Sequence, residues 1–176
     1  GWLRRIARGV YIPVSLSAES SDVVLDEPFV IAENFFTPCY IGGVNAVNYW
    51  DLTEQIFSSI TVFTTKLLSI VNRDIAGTKY VIHKINSKNY FGLKSVWISG
   101  VKVKISDPSR TIIDLLLYPN LCGGLRFMND IIINYFNSEY KNIDMLIGYL
   151  KIINIGALLK RLGFLLELNF PNEEML

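Results

Sequence analysis

Histidine and cysteine are nearly absent from this chain of 176 residues. It has one histidine, His83, and two cysteines, Cys39 and Cys122, which lie far apart on apolar stretches. A single histidine excludes a histidine-rich metal centre and leaves any Ser/His/Asp triad dependent on one side chain. The cysteines form no CxxC or Cys/His ligand spacing, so we expect two reduced, packed thiols, the state that the cytoplasm maintains.

A large excess of charge and a long apolar run are also missing. Lys and Arg total 17 against 16 Asp and Glu, which argues against a wholesale polyanion binder and leaves only local basic patches. The composition is 51% hydrophobic, yet no uninterrupted apolar run reaches the ~18 residues of a membrane span. We therefore expect no membrane association, and we interpret the apolar excess as a missing segment or a dimer face.

The residue pattern predicts an α+β fold with a small, mainly antiparallel sheet followed by a C-terminal helical bundle. The sheet is predicted from three runs rich in β-branched and aromatic residues, "ITVFTTKLL", "TKYVIHKI" and "KSVWISGVKVKI". In the third run, Ser99 and Gly100 predict a two-residue turn that pairs Trp97 with Lys102. Strands gathered before helices, rather than alternating with them, are typical of this class.

Two short helices are predicted before the sheet and four after it. Asp26 caps the first, with Pro28 in its first turn, and the second follows the double glycine of "GGVNAVNYWDL". Asp107 caps the third and Pro108 occupies its first position, where a missing N–H costs nothing. The last three helices are predicted in "GGLRFMNDIIINYFNSEY", "NIDMLIGYLKII" and "IGALLKRLGFLLEL".

Motifs of catalysis are largely absent. The chain has no phosphate-binding glycine loop, serine-hydrolase elbow or zinc-hydrolase motif, so we expect no catalytic residue, no cofactor and no metal. We expect His83 to be a half-buried strand residue. Asp107, Arg110 and Asp114 share one helix face, where two carboxylates and a guanidinium could perform acid/base chemistry. The structural alternative is a capping Asp107 and an Arg110 that pairs with a carboxylate and seats this face on the sheet.

Five basic residues are candidates for contact with DNA. Arg4, Arg5 and Arg8 place three guanidinium groups within five positions, a density that suits phosphate contacts. Lys102 and Lys104 share one face of a predicted strand, for which an ordinary solvated face is the alternative. The sequence thus predicts local DNA contacts rather than a basic domain.

Four segments, read in order, carry a family resemblance. They are "GWLRRIARGVYIPV", "YIGG…A…YW.LT.Q" from residue 40, "DP.RT..DLL..P…GG" from residue 107, and "RLGFLLE" from residue 161. This ordered set resembles the AbiEi-type antitoxins of type IV toxin–antitoxin, or abortive infection, systems, which are also described as transcriptional regulators. The resemblance spans nearly the whole chain.

The resemblance implies a protein of two parts. An N-terminal winged helix-turn-helix would bind inverted repeats in its own promoter, and a larger C-terminal α+β domain would be associated with antitoxicity. Residues 1–14 would be a remnant of the winged-helix wing, carrying Arg4, Arg5 and Arg8, and residues 15–176 would be the C-terminal antitoxin domain. Because the family's recognition helix would precede Gly1, we expect this chain to be a fragment of a longer protein with weak or absent promoter binding of its own.

The family's activity sets the expected function and partners. The resemblance implies a cytoplasmic, non-enzymatic antitoxin and autorepressor that opposes a nucleotidyltransferase-like toxin without forming a stable complex with it. The segment from Asp107 to Gly124 would then be a structural hinge from sheet to helices. Two alternatives stay open. One is an enzyme acting on nucleotides or nucleic acid through Asp107, Arg110, Asp114 and the glycine pairs. The other is a binding module whose apolar surface pairs with itself, as a homodimer, or with the missing N-terminal module.

Overall fold

A computed structural model describes residues 3–7, 10–13, 28–67 and 72–171, with side chains from residue 28 onward except that of Cys122. Two α-helices lie among the strands in the first part of the chain, five strands then follow one another, and the elements after residue 107 are all helical. They are β1 (Leu3–Ala7), β2 (Val10–Pro13), α1 (Pro28–Phe36), β3 (Cys39–Ile41), α2 (Gly43–Tyr49), β4 (Ser59–Thr64), β5 (Asn72–Ile75), β6 (Thr78–Lys84), β7 (Leu93–Ile98), β8 (Val101–Ser106), α3 (Pro108–Leu117), α4 (Leu125–Asn137), α5 (Ile143–Ile153) and α6 (Gly156–Asn169). The predicted α+β class and C-terminal helical region are confirmed.

Six strands form one sheet in the order β5-β6-β4-β3-β8-β7. The sheet is mixed: three neighbouring pairs are antiparallel, whereas β3 with β8 and β4 with β6 are parallel. β5 lies between β4 and β6 in sequence but occupies the edge of the sheet. The chain therefore reverses direction before β5 and again after it, so that β6 runs parallel to β4. The sheet is therefore less antiparallel than the sequence pattern predicts.

The strand at the centre of the sheet, β3, is absent from the sequence prediction. It has only three residues, all buried, which is too short to show an alternating pattern. It pairs with β4 on one side and β8 on the other. The edge strand β5 was missed for a different reason, because its sequence "NRDI" has little of the β-branched and aromatic character that predicts strands.

The hairpin of β7 and β8 follows its prediction closely. Trp97 pairs with Lys102, and the turn residues Ser99 and Gly100 have positive φ angles of 47° and 77°. Two consecutive left-handed residues are what a tight hairpin turn of this length requires. Val103 is buried while Lys102 is exposed, as the predicted alternation demands.

The two faces of the sheet are covered by different elements. On one face, α1 packs Ile31 and Phe36 into a cluster that includes Val62 and Ile105. On the other face, the ring of Tyr40 stacks on that of Phe63 with 5.0 Å between centroids, and residues that follow α3 pack against this pair. The helices α3–α6 share a third apolar cluster, to which α2 contributes one residue.

Helix α3 is buried at nine consecutive positions, from Pro108 to Leu116. A helix at a protein surface buries only one stripe, so α3 must have neighbours on all sides. Ile112 and Leu116 pack into the helical cluster, while Asp114 meets Tyr40 of the sheet. The predicted cap at Asp107 and the first position at Pro108 are both confirmed.

The other local predictions vary in outcome. Helix α1 begins at Pro28 as expected, but its proposed cap, Asp26, lies outside the described residues. Cys39 is a free, buried thiol, and burial raises its pKa; the side chain of Cys122 lies outside the described part of the chain. The strands β1 and β2 pair antiparallel from Leu3 with Pro13, and the register shifts between Arg5 and Ala7. The division at residues 14 and 15 stays a prediction.

Within the described ranges, no helix has the length and apolarity needed to cross a membrane.

Substitution of Gly42 tests the packing on the second face. A Cβ at Gly42 would lie 2.6 Å and 2.7 Å from two ring carbons of Phe63, so we expect Gly42→Ala to lower the free energy of unfolding by about 1–3 kcal/mol. The matched control is Gly148→Ala in α5, where a Cβ would meet nothing within 4 Å. That change should raise stability by about 0.5–1 kcal/mol because alanine favours helix. Equal effects of the two changes in urea unfolding would contradict this packing.

Candidate functional site

A cluster of buried polar side chains lies where α3 approaches the sheet. Asp107 is 6% exposed, Arg110 1% and Asp114 0%. Charged residues are almost never buried to this extent unless they are paired. This group of buried charged residues is therefore the candidate functional site.

Asp107 uses both of its carboxylate oxygens. One oxygen accepts a hydrogen bond of 2.8 Å from the backbone N–H of Arg110, which caps α3. The other accepts a hydrogen bond of 2.6 Å from the hydroxyl of Tyr149 in α5. Asp107 therefore fixes the start of one helix and the position of another.

Arg110 and Asp114 form an ion pair one helical turn apart. Arg110 Nε lies 3.0 Å from Asp114 Oδ1. Arg110 Nη2 donates to the hydroxyl of Tyr40 at 3.1 Å, and that hydroxyl donates to the same Asp114 oxygen at 3.2 Å. The guanidinium carbon also lies 4.5 Å from the ring centroid of Phe91. The resulting triangle joins α3 to the central strand β3.

Two atoms of this ion pair have no hydrogen-bond partner among the described residues. They are Arg110 Nη1 and Asp114 Oδ2, and both are buried. A buried polar atom without a partner costs about 1–3 kcal/mol, and more where the group is charged. Arg110 Nη1 thus lacks an acceptor, and Asp114 Oδ2 lacks a donor.

Burial dominates the electrostatics of Asp114. It raises the pKa of Asp114 from 3.8 to about 6, although Arg110 and Tyr40 act in the opposite direction. Burial also raises the pKa of Tyr40, with a further contribution from Asp114. For Arg110, burial lowers the pKa, but Asp114 and Tyr40 reverse the effect and leave it raised. Arg110 therefore stays charged, and Asp114 is the member of the pair that titrates near neutral pH.

Gly92 completes the enclosure of the cluster. Its φ angle is +68°, and a Cβ there would lie 2.9 Å from Cβ of Arg110 and 3.0 Å from ring atoms of Tyr149. Its carbonyl accepts a hydrogen bond of 2.9 Å from the N–H of Asp107. Only glycine combines this backbone conformation with so close an approach.

The arrangement performs a structural task directly. Asp107 caps the helix and Arg110 pairs with Asp114 against the sheet, which matches the structural alternative drawn from the sequence. No substrate atom can reach the carboxylate of Asp114 in this conformation, since its side chain is fully buried. The shared helix face was predictable from spacing, whereas the contributions of Tyr40, Tyr149 and Gly92 carry no signal in a single sequence.

His83 occupies the predicted position in a strand and is half-buried. Its ring lies 5.3 Å from that of Phe63 and 5.4 Å from that of Tyr118, measured between centroids. Nε2 is buried and has no partner among the described residues, and burial lowers the pKa of the ring. His83 is therefore a packed residue of the sheet face rather than a member of the polar cluster.

The five candidate DNA-contact residues fall in two places. Lys102 and Lys104 lie on one face of β8; Lys102 is exposed, and Lys104 Nζ lies 4.9 Å from the ring centroid of Tyr90. Arg4 and Arg5 are consecutive in β1, and Arg8 lies outside the described residues. The structure brings the lysines together, and DNA contact by any of the five stays a prediction.

The double glycines precede helices as expected, at the starts of α2 and α4. Gly123 and Gly124 have φ angles of 68° and 129°, positive values that glycine adopts readily in tight turns. No group of His, Cys, Asp and Glu in the described part of the chain is placed to hold a metal ion.

The chain matches no protein-family model and no curated protein. The resemblance to AbiEi-type antitoxins therefore depends on the ordered segments alone.

Removal of one charge from the buried pair should destabilise the fold strongly. We expect Arg110→Ala to lower the free energy of unfolding by about 3–5 kcal/mol, because it leaves Asp114 buried without its cation. The double change Arg110→Met with Asp114→Leu removes both charges and should cost less than Arg110→Ala alone. Urea unfolding of the three proteins measures this. A double variant less stable than the single one would show that the pair contributes more than its burial costs.

The pKa of Asp114 predicts a pH dependence of stability. Because the folded-state pKa of about 6 exceeds the ordinary value of 3.8, the folded protein binds more protons between these pH values, and this group stabilises the fold as pH falls. Asp114→Asn lacks this effect. The stability of the unaltered protein relative to the variant should therefore rise by about 1 kcal/mol from pH 7.5 to pH 5. An unchanged relative stability over this interval would mean that the folded-state pKa of Asp114 is not raised above its ordinary value of 3.8.

Proposed function

We propose that this chain is chiefly the C-terminal antitoxicity domain of an AbiEi-type antitoxin and autorepressor from a type IV toxin–antitoxin system. The observation that carries the proposal is the role of the motif "DP.RT..DLL" from residue 107. Its two aspartates and its arginine form the buried joint between sheet and helices. The motif therefore specifies how the sheet and the helices pack together. Such a structural role supports a resemblance that spans nearly the whole chain.

The burial of these residues also supports a non-enzymatic role. The groups best suited to acid/base chemistry are those least accessible to a substrate, and they bond mainly to one another and to tyrosines. A domain built in this way acts through its surface. The proposed effect on the toxin, a nucleotidyltransferase-like protein, is opposition without a stable complex.

The proposed partners follow from the same resemblance. Promoter DNA would be bound by an N-terminal winged helix-turn-helix, of which residues 1–14 would be the wing, and a homodimer would suit a palindromic operator. The proposed location is the cytoplasm, which the free thiol of Cys39 supports.

Growth rescue tests the antitoxin proposal. The reading frame that contains this chain is expressed together with the toxin gene beside it, either whole or without residues 28–171. We expect the whole protein to restore growth and the shortened protein to fail, because the antitoxicity domain is missing. Promoter binding by the shortened protein serves as the control that its N-terminal module is folded. Rescue by the shortened protein equal to that by the whole one would defeat the proposal.

One observation favours the enzymatic alternative. Asp114 combines a raised pKa with an unpartnered oxygen, and such carboxylates are commoner at functional sites than elsewhere. An enzyme acting on nucleotides would need a conformation that opens the cluster to solvent. Turnover of labelled nucleotides with Mg²⁺ that disappears in Asp114→Asn would replace the antitoxin proposal with this one.

A further inference from the structure

The charge of this nearly neutral chain is unevenly distributed. Between Asp74 and Asp107 there is no acidic residue, and the remainder of the chain has 11 Lys and Arg against 16 Asp and Glu. The intervening segment contains six lysines: Lys79, Lys84, Lys88, Lys94, Lys102 and Lys104. None of them forms an ion pair with a carboxylate among the described residues. The segment is therefore a local source of positive potential.

The hairpin of β7 and β8 adds an aromatic ring to this charge. Trp97 is 73% exposed and lies directly across from Lys102 on the same face of the hairpin. The next pair on that face is Ser95 with Lys104. β7 is the edge strand of the sheet, so no strand among the described residues pairs with its outer edge. We call these four residues the hairpin surface.

The exposure of Trp97 is unusual for its residue type. Tryptophan buries more area than other side chains and normally packs or hydrogen-bonds in the fold. Val96 and Ile98, its neighbours in β7, point to the opposite face and pack against the core there. The indole of Trp97 lies beside the ammonium groups of Lys102 and Lys104, so one ligand can contact an aromatic face and two positive charges.

We propose that the hairpin surface binds a single strand of nucleic acid, with one base stacked on Trp97 and phosphates contacting Lys102 and Lys104. Stacking between a base and an aromatic side chain requires an unpaired base, which selects a single strand over a duplex. The two lysines are about 7 Å apart along the strand, and their long side chains reach separate phosphates. An acidic peptide would satisfy the lysines but would leave the indole without a stacking partner.

The hairpin surface does not select the sugar. A lysine ammonium reads phosphate as a point charge, and an indole face accepts any base, so neither distinguishes RNA from DNA. This proposal extends the sequence prediction for Lys102 and Lys104. It does not depend on the antitoxin proposal, which assigns promoter binding to the N-terminal module.

Binding of short oligonucleotides to the whole chain tests the proposal. Oligo(U) and oligo(dT) of about 12 nucleotides are titrated at low salt and followed by fluorescence anisotropy. We expect the two to bind within about threefold of each other and more tightly than a duplex of the same length. Trp97→Ala should weaken binding about tenfold or more, while Trp97→Phe, which keeps an aromatic face, should weaken it less.

Charge variants locate the phosphate contacts. Lys102→Gln with Lys104→Gln should weaken binding and reduce the slope of log K against log salt by about 0.7 for each phosphate that is no longer neutralised. The matched control, Lys79→Gln with Lys88→Gln, removes the same charge from the same segment but away from Trp97, and should keep the tight binding. Lys79, Lys88 and Lys102 are exposed, whereas Lys104 is half-buried with its Nζ 4.9 Å from the ring centroid of Tyr90. Thermal unfolding of each variant shows whether the loss of that contact, rather than of a phosphate contact, weakens binding.

Three outcomes would overturn the proposal. One is the absence of oligonucleotide binding at low salt, and another is tighter binding of the duplex. The third is binding that survives Trp97→Ala but disappears when Arg4, Arg5 and Arg8 are changed together to Gln, which would place the nucleic-acid site in the N-terminal hairpin. Failure of growth rescue has no bearing on any of these outcomes, so the two proposals are tested separately.

Discussion

The ion pair of Arg110 and Asp114 is the interaction on which the rest of the structure depends. Removing two charges from water costs several kcal/mol for each ion, and α3 incurs that cost in its first two turns. The hydroxyl of Tyr40 bonds to both charges, so the helix is held against the central strand of the sheet. Because the opposite side of α3 is apolar, the same helix also anchors the helical cluster.

The pair also fixes the orientation of α3. An apolar helix buried on all sides can rotate or slide with little change in contact area, whereas a guanidinium must stay within hydrogen-bond distance of its carboxylate and phenol. Asp107 adds a second constraint through Tyr149 of α5. One polar contact links α3 to the sheet and the other links it to α5. Together they define one position for the helix between them, because buried polar groups must keep their partners.

The sequence predicted the features that depend on neighbouring residues. The turn at Ser99 and Gly100, the cap at Asp107 and the C-terminal helices have local signals in residue type and spacing. The central strand β3 has no such signal, because its place is set by partners distant in the chain. Tyr40 meets Asp114 across 74 residues, so the polar face of α3 was visible from spacing while its partner was not. For function, the sequence supplied a resemblance, and the burial of the motif indicates that its residues specify architecture.

The long separation of β3 from its partners has a consequence for synthesis on the ribosome. The strand β3 needs β8 beside it and the phenol of Tyr40 needs α3, and both follow late in the chain. Until those segments emerge, the apolar faces of α1, β3 and β4 stay partly exposed to water. Contacts of such long range slow folding and prolong the exposure of aggregation-prone surface. This part of the fold therefore cannot be completed until the residues after Ile105 have left the ribosome.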